Sequence, residues 1–277
     1  MPFPRLSEGR FSSCTVLTDE ALFAATGVRI AFTQRTGGVS IAPFDSLNLG
    51  GHVDDAPEHV AENRRRLLEA FGAQDAALIQ PNQVHGSTVA VCPKPGDAAS
   101  CHDAARLGAD AVVVGCADVS ALLCFADCVP VIIAAPTGAF AVVHAGWRGV
   151  VARIVESAIA WLTDLSGAAA DTLNVYIGPH IRQCHFQVGP DVAQRFADEF
   201  GADVVDADRH VDMSASLRCS LESCGIAPER IVDARVCTVC DAGEHYYSYR
   251  ASEGRCGRHA AFAVRMSNNR KEGVLCR

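Results

Sequence analysis

The sequence predicts a mixed α+β layered fold, and three observations lead to this prediction. Short apolar runs of the length of buried strands are concentrated in the middle of the chain. Segments with a helical spacing of apolar residues lie among these runs without alternating strictly with them. No internal repeat, low-complexity tract or long linker divides the 277 residues, so we expect residues 1–277 to form a single domain.

The predicted strands are short apolar runs that are bounded by glycine, proline, aspartate or other turn-forming residues. The first of them, VRIAFT, is followed by a long loop that is rich in glycine. The full set covers residues 28–33, 111–114, 121–126, 131–135, 140–143, 173–177, 231–236 and 260–265.

The predicted helices have clear start and stop signals. Pro57 suits the first turn of a helix over 57–71, and Pro190 opens another that ends near residue 200. Residues 150–165 carry the clearest apolar stripe, which we expect to end at Gly167. Asp212 is expected to cap a further helix that ends near Gly225.

Composition excludes several classes of protein. The net charge of -8 argues against a nucleic-acid-binding surface, and no apolar run is long enough to cross a membrane. The start of the chain lacks the apolar segment of a secretion signal, so we expect a cytoplasmic protein. The thirteen cysteines are then expected to be small buried hydrophobic residues at all but one or two positions. No pattern in the sequence indicates an oligomeric state.

Three short motifs place a metal-binding or nucleophilic side chain at a strand end or turn. They are QVHG with His85, ADCVP with Cys128 and VVHAGWRG with His144. Two imidazoles and one thiolate suit zinc, and three protein ligands leave a fourth position for water or substrate. The motifs therefore indicate a candidate catalytic metal site.

The spacing alone leaves other interpretations open. The three residues are far apart in the chain, so only the fold can bring them together. A histidine at a strand end is often a hydrogen-bonded structural residue, and Cys128 could be one more buried thiol. Cys128 with His144 or His85 would also form the nucleophile and base of an acyl or amide hydrolase.

A family resemblance adds to this reading. The segments FTQRTGGVSIAPFDSLNLGGHV, NQVHGSTV, ADCVPV, HAGWRG and IGPHI occur in this order, followed by a CT…YYSYR…GRHAAF tail. From about residue 30 to about residue 264 the chain resembles the YfiH family. Its members are also called laccase-domain or multicopper polyphenol oxidase-like proteins and, in bacteria, peptidoglycan editing factors. The resemblance implies a four-layer α/β/β/α sandwich with mixed sheets, similar to a deamidating toxin with a Cys-His site.

The resemblance also implies a chemistry. The zinc ligands of the family map onto His85, Cys128 and His144, which would then also carry catalysis. The implied activities are the phosphorolysis of adenosine, inosine and S-methyl-5′-thioadenosine by phosphate, and the deamination of adenosine. Copper is an alternative occupant, since it binds such ligands more tightly than zinc.

The substrate-binding residues are predicted from the loops around these motifs. Arg35 in the glycine-rich loop and Arg148 beside His144 are the expected clamps for phosphate or ribose, because guanidinium groups form bidentate bonds with oxyanions. Arg148 also lies near an expected helix N-terminus, which favours anions. Asn48 is expected to donate to a base or ribose. Hydrogen bonds that fix a loop are the alternative role for all three.

Further positions carry weaker signals. Asp127 could orient a ligand imidazole or act as a base, but only if its strand has already ended, since neighbouring strand residues point to opposite faces. Gln187 stands where family members usually have a glutamate, which argues against a carboxylate base there. Trp147 could stack on a base, although covering the sheet edge is its more expected role. The single Cys237-x-x-Cys240 pair is weak support for a metal site, and we expect Cys240 to be incidental.

Other functions are less well supported by the residues. A blue-copper centre usually has an axial methionine, and Met1, Met213 and Met266 all lie outside the motifs, so laccase activity is not expected. The H-x-E and P-C-x-x-C signature of zinc deaminases is absent, so any deamination would use a different scaffold. A Cys-His hydrolase or amidase that edits peptidoglycan precursors is the alternative enzyme. A metal-binding regulator is the non-enzymatic alternative.

Overall fold

The computed structural model describes residues 1–267, and these residues form two six-stranded sheets. The strands within this range are β1 Ser7–Phe11, β2 Cys14–Thr18, β3 Val28–Thr33, β4 Ala77–Ile79, β5 Val89–Cys92, β6 Ala111–Val114, β7 Val119–Phe125, β8 Val129–Ala134, β9 Phe140–Ala145, β10 Asn174–Ile177, β11 Ile231–Asp233 and β12 His259–Arg265. The α-helices are α1 Glu20–Thr26, α2 Pro57–Ala70, α3 Ala98–Arg106, α4 Trp147–Val151, α5 Ile154–Ser166, α6 Pro190–Phe200 and α7 Met213–Ser223.

Both sheets are mixed. The first sheet has the strand order β1-β2-β3-β12-β7-β4, and the second has the order β11-β10-β8-β9-β6-β5. The pairs β4·β7, β5·β6 and β10·β11 are parallel, and the remaining neighbours are antiparallel. The predicted mixed α+β class is therefore confirmed.

The alternation of side chains along the strands produces three packed interfaces. Leu123 and Phe125 of β7 face Ile132 and Val142 of the second sheet in a core between the sheets. On the far side of the second sheet, neighbouring residues of the same strands pack against α5, α6 and α7. On the far side of the first sheet, β7 and β12 pack against α2. The layers therefore follow the order α/β/β/α.

The helix predicted over 150–165 is divided into α4 and α5. Arg153 lies between them in the left-handed backbone region, with a φ of 62°, which interrupts the helical hydrogen bonds. Its guanidinium pairs with Glu156 and Glu199, and these contacts offset part of the backbone cost. Gly167 ends α5 in the left-handed region, as predicted.

Several elements were not predicted. They are β1, β2, α1, α3, β4 and β5, whose short or half-exposed segments have weak apolar patterns. The expectation for the cysteines was also wrong in part, because Cys184, Cys219 and Cys240 are exposed. None of the helices within residues 1–267 is long and apolar enough to span a bilayer.

Candidate functional site

Two of the three predicted ligands meet at one end of the second sheet. In the antiparallel register of β8 and β9, Pro130 lies opposite His144 and Val129 lies opposite Ala145. Cys128 directly precedes β8, so it lies beside the end of β9. The connection from β7 in the first sheet to β8 in the second is only three residues long, and within it Asp127 takes a φ of 90°.

The pleat of β9 directs His144 toward the space between the sheets. Val142 packs in the core between the sheets, and Val143 packs on the opposite face against helices. His144 shares the face of Val142, because side chains two residues apart point the same way. It is 3% exposed and lies where that core opens to solvent.

His85 reaches the same place from the loop between β4 and β5. Its backbone has a φ of 59°, and its ring centroid lies 4.8 Å from that of His144, with the planes nearly perpendicular. One ligand atom from each of His85, Cys128 and His144 lies within 4.8 Å of the other two. The structure therefore brings the three predicted ligands together.

Asp110 organises this site, and it was not among the residues that the sequence motifs indicated. Its Oδ1 atom lies 2.8 Å from Nδ1 of His144 and accepts the backbone N–H of His85, while Oδ2 accepts the backbone N–H of Gly86. An acceptor at Nδ1 fixes the tautomer of His144 and leaves Nε2 for a ligand. The signal in the sequence is a lone aspartate directly before the buried β6 strand.

Gly146 leaves the space that the three ligands need. A Cβ atom at this position would lie 2.9 Å from Cδ2 of His85 and 3.4 Å from Sγ of Cys128. The small residue in HAGWRG is therefore required by the close approach of two ligand side chains.

The charges of Cys128 and His144 are coupled. Burial alone would raise the pKa of the Cys128 thiol, but His144 and then His85 lower it below its ordinary value. Burial alone would lower the pKa of His144, but Cys128 and Asp110 raise it. The favoured state is a thiolate beside an imidazolium, and a thiolate is the form of cysteine that binds metals or acts as a nucleophile.

A cavity of about 780 Å³ opens beside the three ligands. The wall of the cavity includes three aromatic rings and three side-chain amides, those of Phe125, Phe186, Tyr249, Gln80, Asn82 and Gln83. This volume suits a small molecule, and the mixture of rings and polar groups is typical of a ligand pocket.

The cavity is rich in arginine. Its wall includes Arg64, Arg106, Arg250 and Arg258, and within residues 1–267 none of these four forms an ion pair with a carboxylate. His52 also lines the cavity, and its pKa is lowered first by burial and then by Arg258 and Arg64. The unneutralised positive charge favours an anionic ligand.

The predicted substrate-binding residues are held elsewhere and do not line this cavity. Arg35 donates to the backbone and carboxylate of Asp45 and lies over the Tyr247 ring. The guanidinium of Arg148 is exposed and lies over the ring of Trp147. Asn48 is fully buried and has loop-fixing hydrogen bonds, described next.

Asn48 connects three segments of the chain. Its amide nitrogen donates to Asp55 and to the carbonyl of Gly50, and its amide oxygen accepts the backbone N–H groups of Gly50 and Arg258. These contacts place Arg258, which does line the cavity.

The weaker candidates also have defined places. Asp127 lines the cavity, but its carboxylate accepts hydrogen bonds from Thr238, Ser248 and the backbone of Arg250, and none from an imidazole. It therefore orders the cavity wall. The side chain of Gln187 donates to the carbonyl of Asp208, away from the cavity. Trp147 packs against the helix-side core, as expected for a residue that covers a sheet edge.

The sequence profile of a family described as multi-copper polyphenol oxidoreductase laccase matches residues 29–266, nearly the whole described chain. The chain belongs to this family. The YfiH resemblance drawn from the motifs is thereby confirmed.

Relatives of this YfiH-family chain are named as purine nucleoside phosphorylases and not as laccases. A protein named purine nucleoside phosphorylase from Deinococcus radiodurans is 35% identical over 232 residues, which cover 82% of this chain and 85% of the relative. The purine nucleoside phosphorylase YfiH of Escherichia coli strain K12 is 33% identical over 242 residues, covering 85% and 93%.

A crystal structure supports the fold of this YfiH-family chain. The Bacillus licheniformis hypothetical protein YfiH superposes with a TM-score of 0.83 at 26% identity, covering 93% of this chain and 98% of that one. The residues at the candidate site fit a metal ion, because two imidazoles and a thiolate converge, a carboxylate orients one imidazole, and a glycine leaves room.

Proposed function

We propose that this chain is a zinc-dependent purine nucleoside phosphorylase that cleaves adenosine, inosine and S-methyl-5′-thioadenosine with phosphate and also deaminates adenosine. One observation carries the proposal: the wall of a single cavity includes His85, Cys128 and His144 together with four arginines that form no ion pair within residues 1–267. The names of the relatives support the reaction class. We expect the enzyme to act in the cytoplasm.

His85, Cys128 and His144 would hold the zinc ion, with Asp110 orienting His144. When bound, an open zinc supplies Lewis-acid activation of water, which is the chemistry that attack at C6 of adenine requires. In that reaction the water oxygen bonds to C6 and ammonia leaves. Copper could bind the same three atoms, so the native metal has to be measured.

In phosphorolysis, arginines of the cavity would contact phosphate directly. The C1′–N9 bond breaks with its electron pair going to the purine, a phosphate oxygen bonds to C1′, and the purine takes up a proton. Arg64, Arg106 and Arg258 would bind phosphate and keep it beside the sugar, where guanidinium groups act through charge-assisted hydrogen bonds. Tyr249 and Phe186 would pack against the purine.

The proposal keeps an indirect role in substrate binding for Asn48. It keeps a direct role for Arg35 and Arg148 only if their side chains move. Asn48 would act on substrate through the placement of Arg258, whose backbone N–H it accepts at 2.9 Å. Direct contact of Arg35 or Arg148 with phosphate would require their side chains to leave Asp45 and Trp147.

The test uses purified, zinc-loaded protein with each nucleoside, with and without phosphate. Chromatography should detect free purine and a ribose phosphate only when phosphate is present, and inosine from adenosine in either case. His144→Gln should abolish turnover and lower zinc occupancy while circular dichroism stays unchanged, and Cys219→Ser, purified in parallel, should match the wild type. Wild-type protein that leaves all three nucleosides intact would refute the proposal.

A Cys-His hydrolase is the second candidate, because Asp110 binds Nδ1 of His144 and the sulfur of Cys128 lies within 4.8 Å of the same imidazole, as in a cysteine hydrolase. A thiolate bound to zinc is a poor free nucleophile, so the two functions compete for the same sulfur. Removing the metal with a chelator distinguishes the two functions. Loss of nucleoside cleavage on chelation supports the phosphorylase, whereas amide hydrolysis that increases on chelation supports the hydrolase.

A further inference from the structure

A second group of metal-binding side chains lies outside the cavity. Cys184, His185, Cys237 and Cys240 each offer one ligand atom, and these four atoms lie within 4.8 Å of one another. None of the four lines the cavity described above. Cys240 was expected to be incidental, because only Cys237 belongs to the motif of the family; Cys184 and His185 lie about fifty residues earlier in the chain.

The backbone holds the two halves of this cluster together. Residues 180 and 237 form a parallel bridge, in which the N–H of Thr238 donates to the carbonyl of His180 and the N–H of His180 donates to the carbonyl of Val236. A turn that starts at Arg182 then brings Cys184 and His185 next to the Cys237 turn. The cluster therefore joins two loops by side chains as well as by backbone.

Four of the six distances between the ligand atoms are close to the edges of a tetrahedron around one zinc ion. Zn–S and Zn–N bonds of about 2.3 and 2.0 Å give S···S edges of about 3.8 Å and S···N edges of about 3.5 Å. The Sγ atoms of Cys184 and Cys240 are 3.8 Å apart. Nδ1 of His185 lies 3.2, 3.7 and 3.5 Å from the sulfurs of Cys184, Cys237 and Cys240.

We propose that Cys184, His185, Cys237 and Cys240 form a second metal site of the closed Cys₃His type, which binds zinc or another soft divalent cation. Four protein ligands complete a tetrahedral shell and leave no position for substrate, so the site is structural. The proposal of this site does not rest on the proposed nucleoside chemistry.

The surroundings of Cys237 favour a bound cation. The backbone N–H groups of Arg182, Cys240 and Val239 are directed at the sulfur of this residue. Backbone N–H groups directed at the first cysteine of a C-x-x-C turn stabilise its thiolate. The thiolate is the form of cysteine that binds a metal ion, so the same N–H groups favour metal binding.

The site would stabilise one wall of the cavity. Arg250 donates from its guanidinium to the carbonyl of His185 and, through its backbone N–H, to the carboxylate of Asp127. Phe186, which follows His185, and Arg250 both line the cavity. A cation that fixes the His185 turn would therefore also fix the position of these two wall residues.

The experiment removes the first metal site, formed by His85, Cys128 and His144, and measures how much metal each chain still binds. A variant with His85→Gln, Cys128→Ser and His144→Gln should still bind one zinc per chain after dialysis against a weak chelator, as measured by mass spectrometry of the metal. Its cobalt derivative should show intense visible bands and a strong thiolate-to-cobalt absorption. Adding Cys184→Ser and Cys240→Ser should remove both signals, whereas adding Cys219→Ser, an exposed cysteine of α7, should not.

A single substitution keeps the test independent of how well the triple variant folds. Cys184→Ser in the otherwise wild-type chain should lower the bound zinc by one equivalent relative to Cys219→Ser. Full zinc content in Cys184→Ser would overturn the proposal, as would a triple variant that folds without binding metal. A disulfide between Cys184 and Cys240 in freshly purified, unreduced protein, seen as a peptide mass lower by two hydrogens, would also overturn it.

Discussion

Asp110 binds His144 directly, with Oδ1 of Asp110 2.8 Å from Nδ1 of His144. The same carboxylate accepts the backbone N–H groups of His85 and Gly86. One buried side chain therefore fixes the ring of one ligand and the loop of another. A carboxylate that binds the second ring nitrogen of a ligand histidine is typical of zinc sites.

Replacing Asp110 with asparagine should weaken metal binding. Asp110→Asn removes the charge that stabilises the His144 N–H and leaves the size of the side chain nearly unchanged, so we expect zinc affinity at the first site to fall roughly 10–100-fold. Competition with a fluorescent chelator measures this affinity. Asp103→Asn on the exposed face of α3 is the matched control, and equal affinities for the two variants would contradict the role of Asp110.

Gly146 and Gly189 offer a matched pair for testing the room around the ligands. Both precede a helix with nearly the same backbone, at φ -68° and ψ near 160°. A Cβ atom at Gly146 would contact His85 and Cys128, whereas at Gly189 it would meet nothing within 4 Å. We therefore expect Gly146→Ala to lose metal at the first site and Gly189→Ala to keep it, by metal analysis. Full occupancy in Gly146→Ala would contradict the close packing.

The thiol of Cys128 should stay reactive at unusually low pH in metal-free protein. Because His144 and His85 lower its pKa, the thiolate persists as the pH falls below the ordinary range and is lost only when the pH falls through the lowered value. Alkylation with iodoacetamide, mapped by peptide mass spectrometry, measures the profile at each cysteine. His144→Gln should move the Cys128 profile to higher pH. A Cys128 profile centred at or above about 8.5, the ordinary thiol value, would contradict the coupling.

The arginines of the cavity should control phosphate binding. Arg106→Gln and Arg258→Gln each remove a charge-assisted contact, so we expect the KM for phosphate to rise about tenfold or more with each. Arg195→Gln on the exposed side of α6 is the control. Steady-state kinetics with inosine gives the comparison. If Arg148→Gln or Arg35→Gln raised the KM for phosphate more than Arg258→Gln, the assignment from sequence would be favoured over the one from the cavity.

The sequence predicted much of the fold because buried strands and helices leave local patterns. The runs at 28–33 and 111–114 agree with β3 and β6, and the helix at 190–200 agrees with α6. The break at Arg153 was not predictable, because nothing local distinguishes it from a continuous helix and its partner Glu199 is distant in the chain. A single domain over residues 1–277 stays a prediction.

The site was predictable only in part, because some of its residues become important only through contacts with distant parts of the chain. A histidine or cysteine at a strand end is visible in the sequence, so His85, Cys128 and His144 could be named from their motifs. Asp110 carries no motif, and its importance comes from two ligands that the fold brings to it. Arg258 lies in the GRHAAF segment, but no local pattern shows that it reaches the cavity, where its backbone N–H is held by Asn48.

The sequence by itself determined the mixed α+β class, the family and the three residues able to bind a metal, since each depends on local patterns or motifs. The tertiary structure alone decided which arginines surround the cavity and that Cys184, His185, Cys237 and Cys240 lie together. The physical reason is distance along the chain. Contacts between residues tens of positions apart depend on how the sheets and loops pack, and no local pattern records that packing.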